Sequence, residues 1–344
     1  TTLVFHTKQY FIVKKMMVNN KRKYKILLTG GTGFIGNAII NSICQSSKID
    51  AKEIDIDIIT RSNNKNYSNK NEKQVVNINF FQSDIRIINA LPSQHYDYVI
   101  HAASPSSKER FKKKNSNLDR YNTIYKGTEN LLKISNNCKF SKFLFFSSAA
   151  IYDNQEDKII AEDTNKYMNS DANLSFYSEA KKASENITLL YSEKNNFKAN
   201  IIRLFAIVGP NMYLADDSKY IFANFIKSTY EHKNYYINTN PNSKRSFLDI
   251  DDCIRFIHTI MDTNIKNEIF NVGSDEEITL TNLASKFNKC LGAENKIIIN
   301  SINDKATYLV PNIIKAKNLL GWIPKINLNE SIIKIFQSYK DNLK

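Results

Sequence analysis

Lys25-Ile26-Leu27-Leu28-Thr29-Gly30-Gly31-Thr32-Gly33-Phe34-Ile35-Gly36 decides the fold of this chain. An apolar run, a cluster of glycines and a second apolar stretch predict a buried strand, a tight turn and the start of a helix. Gly30, Gly33 and Gly36 fall three apart. In such a unit the first glycine turns the chain, the second lets the backbone approach a pyrophosphate, and the third lets the helix pack on the strand. A helix beginning near Phe34 and Ile35 turns its free N–H groups and positive dipole end toward the phosphates. Ordinary turns also use glycine. Yet only 9 glycines occur in 344 residues and four fall in this one heptad, which favours a dinucleotide-binding turn.

Outward from this turn, strand-like and helix-like runs alternate. Strands are predicted at 26–29, 54–60, 75–80, 98–101, 143–147 and 199–204, and helices at 34–46, 122–135 and 177–194. Alternation of this kind predicts an α/β fold with a doubly wound parallel sheet covered on both faces. Ile269-Phe270-Asn271-Val272-Gly273 reads as a returning strand. Beyond Pro210 the pattern changes to helices near 220–230, 278–291, 311–320 and 328–338 with a short strand at 235–237. The expected organisation is an N-terminal extension over 1–23, a dinucleotide-binding domain over 24–209 plus about 251–273, and a smaller substrate domain over about 210–250 and 274–344. Ser62–Gln74 and Lys108–Asp119 read as polar surface loops.

A chain of this length buries a sufficient core without disulfides. Cys44, Cys138, Cys253 and Cys290 are scattered, as expected of buried thiols in a reducing, cytoplasmic compartment. No Cys/His spacing suggests a metal. The apolar runs of the first 23 residues are too short and broken for a membrane helix, and no small-residue cleavage site follows them. The net charge of +14 raises nucleic-acid binding. No aromatics interleave with the lysines as a stacking platform requires, so a lysine-rich surface is expected, with a positive cleft suited to a doubly charged nucleotide.

Further segments fall in order: His101-Ala102-Ala103-Ser104, Ser147-Ser148-Ala149-Ala150-Ile151-Tyr152, Tyr177-Ser178-Glu179-Ala180-Lys181, Arg203 to Gly209-Pro210, Arg245 to Asp252, Phe270-Asn271-Val272-Gly273 and Leu320-Gly321-Trp322. Together with the glycine turn they resemble the extended short-chain dehydrogenase/reductase family, in particular its nucleotide-sugar epimerases, dehydratases and reductases. The resemblance spans roughly Lys25 to Trp322. It implies a homodimer, with a helix pair that includes 177–194 at its interface.

Side-chain chemistry supports this independently. Hydride transfer at a sugar carbon needs a proton donor or acceptor on the oxygen. A free tyrosine, with pKa near ten, is a poor base at neutral pH unless its anion is stabilised. On a helix Tyr177 and Lys181 lie four apart on one face. The expectation is that Lys181 lowers the phenol's pKa and holds the nicotinamide ribose, while Ser148 at a strand end hydrogen-bonds the reacting oxygen. Family members that dehydrate carry an acid and a base directly after the catalytic Ser/Thr. Ala149 and Ala150 stand there instead, so 4,6-dehydration, and decarboxylation by the usual route, are not expected.

An NAD enzyme of this fold places Asp or Glu at the end of the second strand. Here that end reads Thr60-Arg61-Ser62. Arg61 binds a 2′-phosphate bidentately where a carboxylate would repel it, so NADP(H) is favoured and NAD is the alternative. The resemblance further implies that Asp84 and Ile85 contact the adenine, that Ala102, Ala103 and Ser104 line the pyrophosphate and ribose, and that Arg245, assisted by Lys219, grips a substrate diphosphate. Two positions depart from the family: Ala206 and Ile124 replace frequent asparagines. The expected activity is NADPH-dependent reduction of a nucleotide-linked 4-keto sugar. The alternatives are an NAD-dependent 4-epimerase and a non-catalytic dinucleotide-binding protein. The complete Ser148, Tyr177 and Lys181 set argues against the last.

Overall fold

The computed structural model describes residues 23–50, 53–61, 76–104, 117–152, 159–164, 172–212, 220–300 and 305–343. Ser62, Lys219 and the expected 1–23 extension, apart from Lys23, lie outside the described residues. Seven strands form one sheet: β1 (Tyr24–Thr29), β2 (Ile54–Thr60), β3 (Val76–Gln82), β4 (His95–His101), β5 (Lys139–Ser148), β6 (Lys198–Leu204) and β7 (Glu268–Val272). Their order is β3-β2-β1-β4-β5-β6-β7 and every neighbouring pair is parallel. The order reverses between β1 and β4, which opens a crevice at their carboxyl ends.

Alternation along each strand builds the two faces. Ile26, Leu28, Leu144 and Phe146 point to one side, where α1 (Phe34–Asp50) and α5 (Ile250–Asp262) cover them. Leu27, Phe143 and Phe145 point to the other, under α2 (Asn117–Ile134) and α3 (Ala172–Asn195). Each fully buried large apolar side chain stabilises the fold by about 1.5–3 kcal/mol relative to exposure. The expected doubly wound sheet is therefore present. The reading of the sequence missed α5, although its signals stand there. Asp249 caps it by accepting from Asp251 N, and Ile250, Ile254, Ile257 and Met261 repeat at helical spacing.

The smaller unit gathers α4 (Ile221–Tyr230), α6 (Leu280–Leu291) and α8 (Leu328–Asp341) around Phe222, Phe225, Tyr235 and Phe287. Phe225 and Tyr235 rings approach to 4.6 Å, and Phe222 and Phe287 to 5.0 Å. The unit does not take all of 274–344. Ile313, Ala316 of α7 (Ile314–Leu320) and Trp322 pack into the core of the main sheet. Trp322 Nε1 donates to the Asp252 carbonyl at 3.2 Å, and the Asp252 carboxylate accepts from Lys325 N and Ile326 N. The Leu320-Gly321-Trp322 segment thus docks on α5.

A buried ionic network ties β5, β6, β7 and α3 together. Arg203 on β6 donates to both carboxylate oxygens of Glu185 on α3, at 2.9 and 2.8 Å. Ser147 on β5 donates to the same carboxylate at 2.5 Å. Arg203 Nη1 reaches the Tyr152 hydroxyl, which donates to Asn271 of β7 at 2.6 Å. Asn271 Nδ2 then donates to the Ile160 carbonyl. Arg203 is 2% exposed and Glu185 0%, so each charge depends on the other.

The glycine turn is held as tightly. Gly30 has φ +78°, and a Cβ there would sit 2.7 Å from the Ala102 carbonyl and Ala103 N. A Cβ on Gly36 would stand 2.2 Å from the Gly30 oxygen. Among the described residues, one on Gly33 would meet only that oxygen, at 3.3 Å.

Arg203→Met should cost about 3–5 kcal/mol, because it leaves the buried Glu185 carboxylate with only Ser147 and the more distant, half-exposed Lys182 at 3.4 Å; urea unfolding reads this loss. Gly36→Ala should destabilise by about 1–3 kcal/mol or more through overpacking. Gly33→Ala should leave the melting temperature nearly unchanged and weaken dinucleotide binding instead, so melts and cofactor titrations separate the two glycines.

Candidate active site

β5 ends at Ser148, and α3 crosses above it. The buried face of α3 is polar: Lys181, Ser184, Glu185, Thr188 and Ser192 are all buried. Internal bonds satisfy part of it, such as Thr188 Oγ1 to the Ser184 carbonyl and Ser192 Oγ to the Phe197 carbonyl. This face places Tyr177 one turn before Lys181 and both above the end of β5.

Three hydroxyls converge here. Burial pushes the Tyr177 phenol above its ordinary pKa, while the hydroxyls of Ser104 and Ser148 and the Arg120 cation draw it down. Ser148 Oγ also accepts from Ala150 N at 3.2 Å. Lys181 is fully buried and its Nζ donates to the Phe146 carbonyl at 2.6 Å. Burial lowers its ammonium to about 8, opposed by Glu185, so it remains mostly protonated at neutral pH. It lies 6.0 Å from the centre of the Tyr177 ring. Lys181 Nζ is bonded to the strand carbonyl, and the Arg120 cation also acts on this phenol.

The structure brings the glycine turn and β4 together beside this point. Ala102 N donates to the Thr29 carbonyl and Ala103 N to Thr29 Oγ1. His101 bridges Thr29 and Thr128 at 2.6 and 2.9 Å, and burial with the Lys181 charge lowers it to about 3, so it is neutral. No carboxylate stands in the first turn of α1, which leaves its positive end uncompensated. Phe34 and Ile35, the first residues of α1, pack on the sheet's core. The space that the described residues leave over Gly33 and the bare N-terminus of α1 fit a pyrophosphate.

At the far end of the crevice Arg61 is exposed just past β2, and its carbonyl accepts from Gln82. Burial pushes Asp84 up, but Arg86 and more weakly Arg61 hold its carboxyl below the usual range. Arg86 contacts both Asp84 oxygens and reaches Asp119 at 2.7 Å. Asp84 is therefore already engaged by a guanidinium. Ile85 is buried against Gly127, and its carbonyl accepts from Asn130. Arg245 lies in the smaller unit and is half-buried. Its Nη1 donates to the Lys244 and Thr307 carbonyls and its Nη2 to Thr307 Oγ1.

Arg120 and Tyr220 escaped the sequence reading. The Tyr220 phenol, carried just before α4, is raised by burial and by Tyr177 across the crevice. Its place beside Lys219 was a usable signal; Arg120 offered none. Ala149 is buried and Ala150 exposed, and neither moves a proton. Ile124 is buried, and Ala206 packs against the smaller unit's core, so hydrocarbon fills both positions. Among the described residues no cluster of three or more His, Cys, Asp or Glu could hold a metal, and no helix is long and apolar enough to cross a membrane.

Comparison with known proteins follows the same outline. The chain is 24% identical over 339 residues to UDP-glucuronic acid decarboxylase 1 of Xenopus tropicalis, covering 98% of this chain and 76% of the other. It is 24% identical to the human dTDP-D-glucose 4,6-dehydratase, covering 92% and 90%. Among solved structures, the UDP-glucuronic acid 4-epimerase of Bacillus cereus superposes with TM-score 0.75 at 22% identity, covering 92% of this chain and 99% of that one. Residues 26–273, from β1 through the end of β7, match the NAD dependent epimerase/dehydratase family, and the chain belongs to it.

Proposed function

We propose that this protein reduces the 4-keto group of a nucleotide-linked sugar with NADPH. The nicotinamide would supply the hydride that C4 receives. Tyr177 then donates its proton to the developing alkoxide, Ser148 hydrogen-bonds that oxygen, and Lys181 holds the ribose and the helix face beneath Tyr177. Gly30, Gly33, Gly36, Phe34 and Ile35 seat the pyrophosphate at the start of α1. Ala102, Ala103 and Ser104 line its other side, and Asp84 and Ile85 border the adenine. Arg245 and Lys219 grip the substrate diphosphate. A homodimer through α2 and α3 fits the exposure of Leu118 and Leu190, each 65%, on those helices. The four cysteines form no disulfide with one another, and a cytoplasmic location is part of this reading.

The observation that carries this reading is Arg61. It follows β2, at the end where an NAD enzyme of this fold carries a carboxylate, and is exposed, so it could bind a 2′-phosphate, with Ser62 next in sequence. Ala149 and Ala150 argue against dehydration and against decarboxylation by the usual route, whatever the relatives do. They are equally compatible with 4-epimerisation, in which Tyr177 first takes the 4-hydroxyl proton and later returns one. That is the second reading.

Fluorescence titration distinguishes them. The wild-type protein should bind NADPH more tightly than NADH. Arg61→Ala should remove most of that preference, about 1.5–3 kcal/mol, or roughly ten- to a hundredfold in affinity, with NADH binding nearly unchanged. Preference for NADH, or NAD that dialysis does not remove, would install the epimerase instead. Tyr177→Phe should keep cofactor binding and lower turnover of a nucleotide-linked 4-keto sugar by about two orders of magnitude or more. Near-normal turnover by that variant would end both catalytic readings.

A further inference from the structure

The turn that follows β3 lies beside the end of β2. Ser83 N donates to the Thr60 carbonyl at 2.9 Å, and Gln82 Nε2 donates to the Arg61 carbonyl at 3.4 Å. Residues 84–88 thus continue from backbone bonded to the strand end that carries Arg61. The turn has little apolar hold of its own: Ile85 is buried, but Ile87 is 74% exposed. Internally, Ile87 N and Ile88 N both donate to the Asp84 carbonyl at 3.1 Å.

Helix α2 fastens this turn from outside. Asn130 Nδ2 donates to the Ile85 carbonyl at 2.9 Å and to the Ile88 carbonyl at 2.8 Å. An amide nitrogen carries two hydrogens, so one side chain holds two carbonyls three residues apart. Three positions earlier, Gly127 lets Ile85 lie close on the helix, since a Cβ there would stand 2.6 Å from Ile85 Cδ1. In the first turn of α2, Asp119 accepts from Arg86 Nη1 at 2.7 Å, and Arg86 closes back on both Asp84 oxygens. Positions 119, 127 and 130 are spread over about 16 Å of helix, yet all three contact residues 84–88.

We propose that Asn130 is a positioning residue for the adenosine half of the dinucleotide: it holds the backbone of residues 84–88 on α2 in the form that receives the cofactor. The assignment rests on the proposed reading in which Asp84 and Ile85 border the adenine. Its physical basis is preorganisation. A turn that is ordered only on binding subtracts its ordering cost from affinity, and a turn already ordered does not. The Arg86–Asp119 contact is no substitute. It is a partly exposed ion pair that fastens a side chain, whereas Asn130 fastens backbone.

Titration with adenosine 2′,5′-bisphosphate and with ADP reads this end of the site without turnover. Asn130→Asp keeps the side-chain size and loses the amide donor. Both ligands should bind to it about five- to tenfold more weakly, the scale of one or two neutral hydrogen bonds. Backbone amide exchange at Ile87 and Ile88 should accelerate while that of β1 stays slow. In turnover the loss should fall on the cofactor KM rather than on kcat. A merely structural asparagine would lower the melting temperature and leave the affinity of the folded protein where it was. Unchanged affinity for both ligands in folded Asn130→Asp overturns the proposal. If that variant does not fold, the wild-type protein decides: bound ADP should slow exchange at residues 84–88, and exchange that ADP leaves unaltered overturns the proposal equally. If the wild-type protein prefers NADH, the reductase reading fails, and the same loss of ADP affinity in Asn130→Asp still upholds the assignment.

Discussion

The bidentate pair between Arg203 and Glu185 is the constraint on which the catalytic half of the fold depends. Two charges removed from water are tolerable only when each is fully answered. Here Arg203 answers Glu185 from β6 and Ser147 answers it from β5, while Tyr152 and Asn271 carry the network to β7. Glu185 sits one turn beyond Lys181 on α3. The pair therefore sets the height of α3 above the sheet, and with it the distance from Tyr177 to Ser148. The buried face of α3 is polar for the same reason: it is anchored by bonds, and bonds have direction where apolar contact has little.

The crevice follows from topology. Reversal of strand order between β1 and β4 separates α1 from the loop after β4, and the glycine turn closes what remains to backbone distances. Gly30 and Gly36 serve packing within the protein, whereas the space over Gly33 is left for something else. Arg61 and Arg86 stand at one end of this crevice, the Tyr177 cluster along it, and Arg245 in the smaller unit. The two units share more than a boundary. Trp322 and α7 return to the sheet and are held by Asp252 of α5, so the segment that follows the smaller unit's strands also completes the main core.

At the Tyr177 cluster several modest effects oppose one large one. Burial disfavours the phenolate, and two hydroxyls with one cation act against it. Lys181 is drawn below its usual range by burial yet remains mostly protonated at neutral pH, and burial, with the Lys181 charge adding to it, keeps His101 neutral. A neutral His101 accepts from Thr29 and donates to Thr128. It thereby fixes the residue that also receives Ala103 N at the edge of the crevice.

Local pattern determined a good deal. The glycine heptad and the alternating apolar runs sufficed for the doubly wound sheet, and the Tyr177/Lys181 spacing for a shared helix face, because each is a short-range requirement on backbone or periodicity. Tertiary structure decided the rest, since charge and packing act between residues far apart in the chain. Nothing near Arg203 in sequence announces Glu185, and nothing near Arg120 announces Tyr177. The adenine role read into Asp84 meets Arg86, only two residues further along, whose guanidinium reaches both carboxylate oxygens; that contact is local and was legible in the sequence. Helix α5 was written in its cap and apolar spacing, but its partner Trp322 lies 70 residues away from Asp252, and only folding brings them within hydrogen-bond distance.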